Sequence, residues 1–193
     1  RFVASACATH KLLRRKLVKE LFAVSRTQLE LLPHYSRLVA MLTPLYKDVA
    51  QTLVQKLLEQ FTQLFTEKDQ IKIETKIKNI RFLGECTKFQ LCTWKQMLEC
   101  FDQLLGDFTH HNIDVTCHGV EVCGRYLLMK RDSHLQMKQV LEKMKRLKTI
   151  KSLDSKYDLL IENAYFEACK GLANAQQQMS IYMSNFNASS SNS

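Results

Sequence analysis

The chain is poor in the residues that break regular structure, with five glycines and two prolines among 193 residues. A sandwich of short strands needs many more turn residues, so the scarcity points to long helices joined by short loops. No run of ~18 or more apolar residues occurs, which excludes a membrane-spanning helix. Seven cysteines are present, but no CxxC pair, so the commonest zinc and redox signatures are missing. Cys117, His118 and Cys123 come nearest to a metal set and fit no standard spacing. Several cysteines, Cys86, Cys117 and Cys123 among them, fall at apolar helical positions, which favours reduced, buried thiols in a cytosolic or nuclear protein. There is no phosphate-cradling Gly-rich loop, no local Ser or Cys arrangement with His and Asp, and no paired carboxylates. Neither an enzyme nor a bound cofactor is expected.

What is present fits one globular domain of ordinary size. Hydrophobic residues make up 46% and charged residues 24%, enough for a substantial core. The formal charge of +9 favours an acidic partner or RNA. The opening Arg1-Phe2-Val3-Ala4 has neither an initiator Met nor a secretory apolar stretch, which marks the chain as an internal fragment.

Along the chain, residues 8–22 read as a helix with Leu13, Leu17 and Leu21 on one face. Lys11, Arg15 and Lys19 stand at i, i+4 on another, either solvated or meeting something anionic. Ser25-Arg26-Thr27 can cap a helix start. Pro33 and Pro44 open helices over His34–Leu42 and Leu45–Phe65, and Val49, Leu53, Leu57, Phe61 and Phe65 give the second a core row. Thr93-Trp94-Lys95-Gln96 is a capping box that starts a helix to about Gly106, with Trp94 as a packing residue. From His111 to Met129 the buried row is Ile113, Cys117, Val120, Gly124 and Leu127, with Glu121 and Arg125 paired at i, i+4. His110 and His111 point about 100° apart and read as capping or surface residues. Ser133 to Gln136 resembles another capping box, opening a basic helix that carries Lys138, Lys143, Lys145, Arg146, Lys148 and Lys151 around Met137, Leu141, Met144 and Leu147. Asp154 then caps a last helix to Cys169, with Tyr157, Leu160, Ile161, Ala164 and Ala168 inward. Residues 1–170 form the domain. From 171 to 193 the composition turns to Asn, Gln and Ser, a flexible tail whose Asn187-Ala188-Ser189 triplet is discounted as a glycosylation site.

The organising stretch is Asp69 to Leu91. Ile73, Ile77, Ile80, Gly84 and Leu91 form one apolar row, and Phe82, Cys86 and Phe89 another. Apolar on two sides, it reads as an interior helix sandwiched between neighbours. Gly84 costs roughly 1 kcal/mol against Ala in a helix interior, so another backbone is expected to approach it closely. Arg81 and Glu85 can pair along its surface.

The order Asn79-Ile80-Arg81-Phe82-x-Gly84-Glu85-x-x-Lys88 resembles the signature helix of the middle domain of translation initiation factor 4G. That resemblance implies an all-α fold, a right-handed superhelix of antiparallel, HEAT-like helix pairs on a spacing of ~40 residues, about four pairs here. It also implies a first helix that this chain lacks. Asn79, Arg81, Phe82, Gly84 and Glu85 are then the structural signature, with Gly124 and Arg125 beside them in Glu121-Val122-Cys123-Gly124-Arg125. Further matches at Leu31 to Ala40, Lys68 to Lys76, Asp107 to His111 and Glu162 to Tyr165 narrow the resemblance. They point to middle domains that occur three times in the scaffold of nonsense-mediated mRNA decay, and among these to the second. The implied partners are flanking domains of such a scaffold and other mRNA surveillance factors, with cytoplasmic, perinuclear residence and a monomeric isolated domain. No binding residues carry over.

Two functional classes follow. One is a scaffold module that holds neighbours at a set distance and orientation. The other binds RNA weakly, through phosphate contacts from Lys11, Arg15 and Lys19 and from Lys138, Lys145 and Lys148. The basic helix has no aromatic residues interleaved with its lysines, which favours the scaffold.

Overall fold

A computed structural model of the chain describes residues 11–66, 72–151 and 153–170. The tail expected from residue 171, with its Asn187 triplet, and the beginning of the organising stretch at Asp69 lie outside the described residues. Among the described residues there are eight α-helices and no strand. They are α1 (Lys11–Phe22), α2 (Leu32–Leu42, entered by a 3-10 turn at Leu29–Leu31), α3 (Lys47–Thr66) and α4 (Ile73–Lys88). Then follow α5 (Trp94–Gly106), α6 (His110–Met129), α7 (His134–Lys151) and α8 (Ser155–Cys169).

The helices pack as a stack of pairs in two layers. α2, α4, α6 and α8 form one layer and α1, α3, α5 and α7 the other, with the widest interfaces between α6 and its layer neighbours α4 and α8. A single continuous core runs through the stack, from Val18 of α1 to Ala168 of α8.

Glycines set the closeness of the first layer. A Cβ at Gly84 would lie 2.9 Å from Val122 Cγ1, and one at Gly124 would lie 3.1 Å from the Ala168 Cβ. At Gly119 it would lie 2.8 Å from Phe101 Cε1 and 2.9 Å from Ile80 Cγ1. Cβ atoms essentially never approach below 3.0 Å, so Gly84 of α4 and Gly119 of α6 leave no room for a side chain, and Gly124 of α6 leaves little. In the other layer, open grooves of about 450 and 440 Å³ separate α3 from α5 and α5 from α7.

α4 is sandwiched as expected, and Ile80, Phe82, Leu83 and Cys86 are completely buried. It ends at Lys88, short of Leu91, because Gln90 takes the left-handed conformation at φ 60°. The Gln90 N–H donates to the Thr87 carbonyl (3.0 Å) and the Leu91 N–H to the Cys86 carbonyl (2.9 Å). This is the paired closure of a Schellman motif, with glutamine where glycine is usual.

Several local expectations are corrected. On α1, Leu13 is 41% exposed while Val18 and Leu21 are buried, because the helix rests on α3 by a narrow stripe displaced from the leucine row. Ser25 makes a local turn, its hydroxyl accepting from the Thr27 N–H, and caps no helix. The Thr93–Gln96 capping box forms in full. The Ser133 box does not: the buried Ser133 hydroxyl donates to the Leu127 carbonyl (2.8 Å) and ties down the end of α6 instead. Asp154 stands at the N-cap of α8, but only its carbonyl serves the helix, accepting from Tyr157 and Asp158.

Candidate functional site

The polar residues of the signature helix turn inward. Asn79 is fully buried; its amide donates to the Leu57 carbonyl and to Gln60 Oε1, both at 2.9 Å, tying α4 to α3. Lys78, which sequence reasoning passed over, is 7% exposed and donates to the Phe22 and Val24 carbonyls at 3.3 and 3.0 Å. It thereby satisfies orphan carbonyls at the end of α1, and burial lowers its pKa. Phe82 fills the core and Gly84 admits Val122.

The two expected i, i+4 pairs are not made. Arg81 reaches across to α6, where its Nη1 lies 3.6 Å from Glu121 Oε2 and 3.3 Å from His118 Nδ1. His118 Nδ1 is itself 3.3 Å from Glu121 Oε2, which closes a triangle of half-buried groups. His118, followed by Arg81, holds the Glu121 carboxyl below its ordinary value against the opposing effect of burial. Glu85 is buried and accepts from Lys88 Nζ at 2.9 Å. Arg125 is left exposed on the surface of α6. For Arg81 the physical reason is the closeness of the layer: α6 offers the Glu121 carboxylate across the interface, while Glu85 is taken by Lys88 on its own helix.

The basic residues divide in two. Lys11, Arg15 and Lys19 are exposed along α1, in the first helix pair. Lys138, Lys145 and Lys148 lie on α7, in the last, so the fold does not bring the two groups together. Lys138 is exposed. Lys145 Nζ sits 3.6 Å from the centre of the Tyr165 ring, a cation–π contact. Lys148 Nζ bridges Glu162 at 2.6 Å and Asp158 at 3.8 Å, which raises its pKa. Lys143 faces Asp102 at 3.8 Å, and Lys151 donates to the Phe108 carbonyl at 2.8 Å. Much of the basic face of α7 therefore clamps its neighbours.

The six described cysteines are unpaired, and five of them are buried. Burial pushes Cys86 and Cys100 up to about 12 and Cys92 up to about 11, and raises Cys117 and Cys123 further. Such thiols are inert packing groups. Cys117 and Cys123 point into the core while His118 faces Arg81, and among the described residues no three His, Cys, Asp or Glu side chains are placed to hold a metal ion.

A two-layered stack of helix pairs defines a helical-repeat domain. Residues 2–165 match the MIF4G domain, and the chain belongs to that family. It is 48% identical over 157 residues to the regulator of nonsense transcripts UPF2 of Arabidopsis thaliana, covering 81% of this chain and 13% of that protein. It is 47% identical over 153 residues to regulator of nonsense transcripts 2 of Homo sapiens, covering 79% and 12%. To nonsense-mediated mRNA decay protein 2 of Schizosaccharomyces pombe it is 32% identical over 151 residues, covering 78% and 14%. The chain thus spans only about an eighth of the length of these relatives.

Proposed function

We propose that this chain is a scaffold module of a nonsense-mediated mRNA decay factor, equivalent to the second of three middle domains. It positions flanking domains and other surveillance factors in the cytoplasm and catalyses nothing itself. The observation that carries this reading is the identity of 47–48% to regulators of nonsense transcripts over about four-fifths of the chain. Supporting it, Lys78, Asn79, Arg81 and Glu85 all serve internal contacts, so the signature maintains a rigid stack of fixed length. The test is affinity purification of the parent protein from cells, with this segment present, deleted, or replaced by an unrelated helical rod of equal span. The expected result is that deletion alters the set of co-purifying decay factors and an equal-length replacement restores it in part. An unchanged set after deletion would refute the proposal.

A second reading, RNA binding through basic helices, retains support from the charge of +9 and from the exposed Lys11, Arg15, Lys19 and Lys138. The internal contacts of Lys145 and Lys148 count against it.

A further inference from the structure

α8 is the last helix of the described stack, and its two sides differ. Ile161, Ala164 and Ala168 are buried on the side that packs against α6. About half a revolution away, Leu159 and Phe166 stand at i, i+7 and are 61% and 63% exposed. Stacked-helix proteins keep the outer face of a terminal helix polar, because no further repeat covers it. The outer face of α8 departs from that rule. The carboxylates beside these two residues are already satisfied: Glu162 accepts from Lys148 Nζ at 2.6 Å and Glu167 from Lys170 Nζ at 3.3 Å. Lys170 Nζ also lies 6.0 Å from the centre of the Phe166 ring. The result is an apolar centre bordered by neutralised charge, a surface suited to an uncharged, apolar partner.

Such a partner follows in the same chain. α8 ends at Cys169, and Lys170, at ψ 120°, turns the backbone off the helix axis. Gly171 comes next, the residue type that most readily permits a reversal after a helix. From Gly171 to Ser193 there is no Asp, Glu, Lys, Arg or His. Leu172, Ala175, Met179, Met183 and Phe186 recur at steps of three and four, one stripe of helical period. Tyr182 flanks the stripe, and Ile181 alone of the large apolar residues falls opposite it. A run from Leu172 to Phe186 matches the 15 residues of α8 in length. Met179 and Phe186 repeat the seven-residue spacing of Leu159 and Phe166, about 10 Å along a helix in each case.

We propose that residues 172–186 fold back as a helix antiparallel to α8 and cap the end of the stack. Ala175 and Met179 seat on Phe166, and Tyr182 and Phe186 seat on Leu159. This goes beyond the scaffold function and does not depend on it. Anything that joins the stack at this end must first displace the segment.

Hydrogen–deuterium exchange of the purified chain tests the cap, because a lone helix of about 15 residues is marginal in water and its amides exchange freely unless it docks. The amides of 172–186 should exchange at least about tenfold more slowly than in an unstructured peptide of the same sequence. Leu159→Ser with Phe166→Ser, both at exposed positions, should remove that protection while leaving the protection of α6 in place. Met179→Asp should do the same from the other side of the contact, whereas Gln177→Glu, opposite the stripe, should change protection by less than about twofold. Free exchange of 172–186 in the wild-type chain, or protection that survives Leu159→Ser with Phe166→Ser, would overturn the proposal. So would protection that grows with chain concentration, which would assign the face to a second copy.

Discussion

Replacing Gly119 by alanine adds one methyl group at the most crowded point of the stack. The new Cβ would lie 2.8 Å from Phe101 Cε1, 3.3 Å from Phe101 Cζ and 2.9 Å from Ile80 Cγ1. Both neighbours are completely buried, so neither can swing outward to make room. Overpacking of this kind costs typically about 1–3 kcal/mol, and the crowding on two sides places Gly119→Ala toward the upper end. Against this, alanine gains about 1 kcal/mol of helix propensity over glycine. The net loss is about 1–2 kcal/mol. At about 2–4 °C per kcal/mol for a chain of this size, the melting temperature should fall by roughly 2–8 °C. Gly106→Ala is the matching control. A Cβ there meets nothing within 4 Å, so only a propensity gain of up to ~1 kcal/mol applies and the midpoint should hold or rise. Thermal unfolding followed by circular dichroism compares the two variants. A Gly119→Ala protein that melts at or above the wild-type temperature would refute the close approach of α6 to α4 and α5.

Other consequences are as direct. All seven cysteines should titrate as free thiols in denaturant without reductant, while Cys86, Cys92 and Cys100, pushed up to about 12, about 11 and about 12, should react slowly in the folded protein; a stoichiometric disulfide would contradict this. Because the Glu121 carboxyl is held below its ordinary 4.5, its contribution to stability is present above that value and is lost as pH falls through the lower folded value. Glu121→Gln should therefore lower stability near neutral pH and make the acid limb of a pH–melting curve shallower; an unchanged limb would remove the Arg81–His118–Glu121 triangle from the account. Lys148→Glu should lower the melting temperature by setting a third carboxylate against Asp158 and Glu162, whereas Lys138→Glu, on an exposed position, should leave it unchanged. Equal melting of these two variants would show that the clamp between α7 and α8 contributes nothing.

The features legible in the sequence are those that depend on periodicity and local chemistry. Val49, Leu53, Leu57 and Phe61 repeat at helical spacing and are buried together. Gly84, Gly119 and Gly124 sit inside helices, where glycine is unfavourable unless something approaches, and something does. Thr93 and Gln96 satisfy each other within one turn, so their box is recognisable from four residues. What was not legible depends on neighbours remote in the chain. Arg81 prefers Glu121 to Glu85, Ser133 prefers the Leu127 carbonyl to its own helix, and Lys145 covers Tyr165 on α8. Lys78 looks like a solvated lysine until α1 is seen ending above it. The end of α4 at Lys88 is equally hard to read, because glutamine gives no warning of a left-handed residue.

On the proposed function the domain acts through its rigid shape, with the basic helices as a solvated surface in which Lys145 and Lys148 hold α8. The most direct measurement is the half-life of a reporter mRNA with a premature stop codon, in cells whose only copy of the parent protein is altered in this domain. Lys138→Glu with Arg146→Glu, which leaves the internal contacts of α7 in place, should keep the reporter short-lived. Gly119→Val, which drives a branched side chain against Phe101 and Ile80, should lengthen its half-life toward that of a normal transcript. A reporter stabilised by the folded charge-reversed protein, or unaffected by Gly119→Val despite demonstrated unfolding of the domain, would contradict the claim.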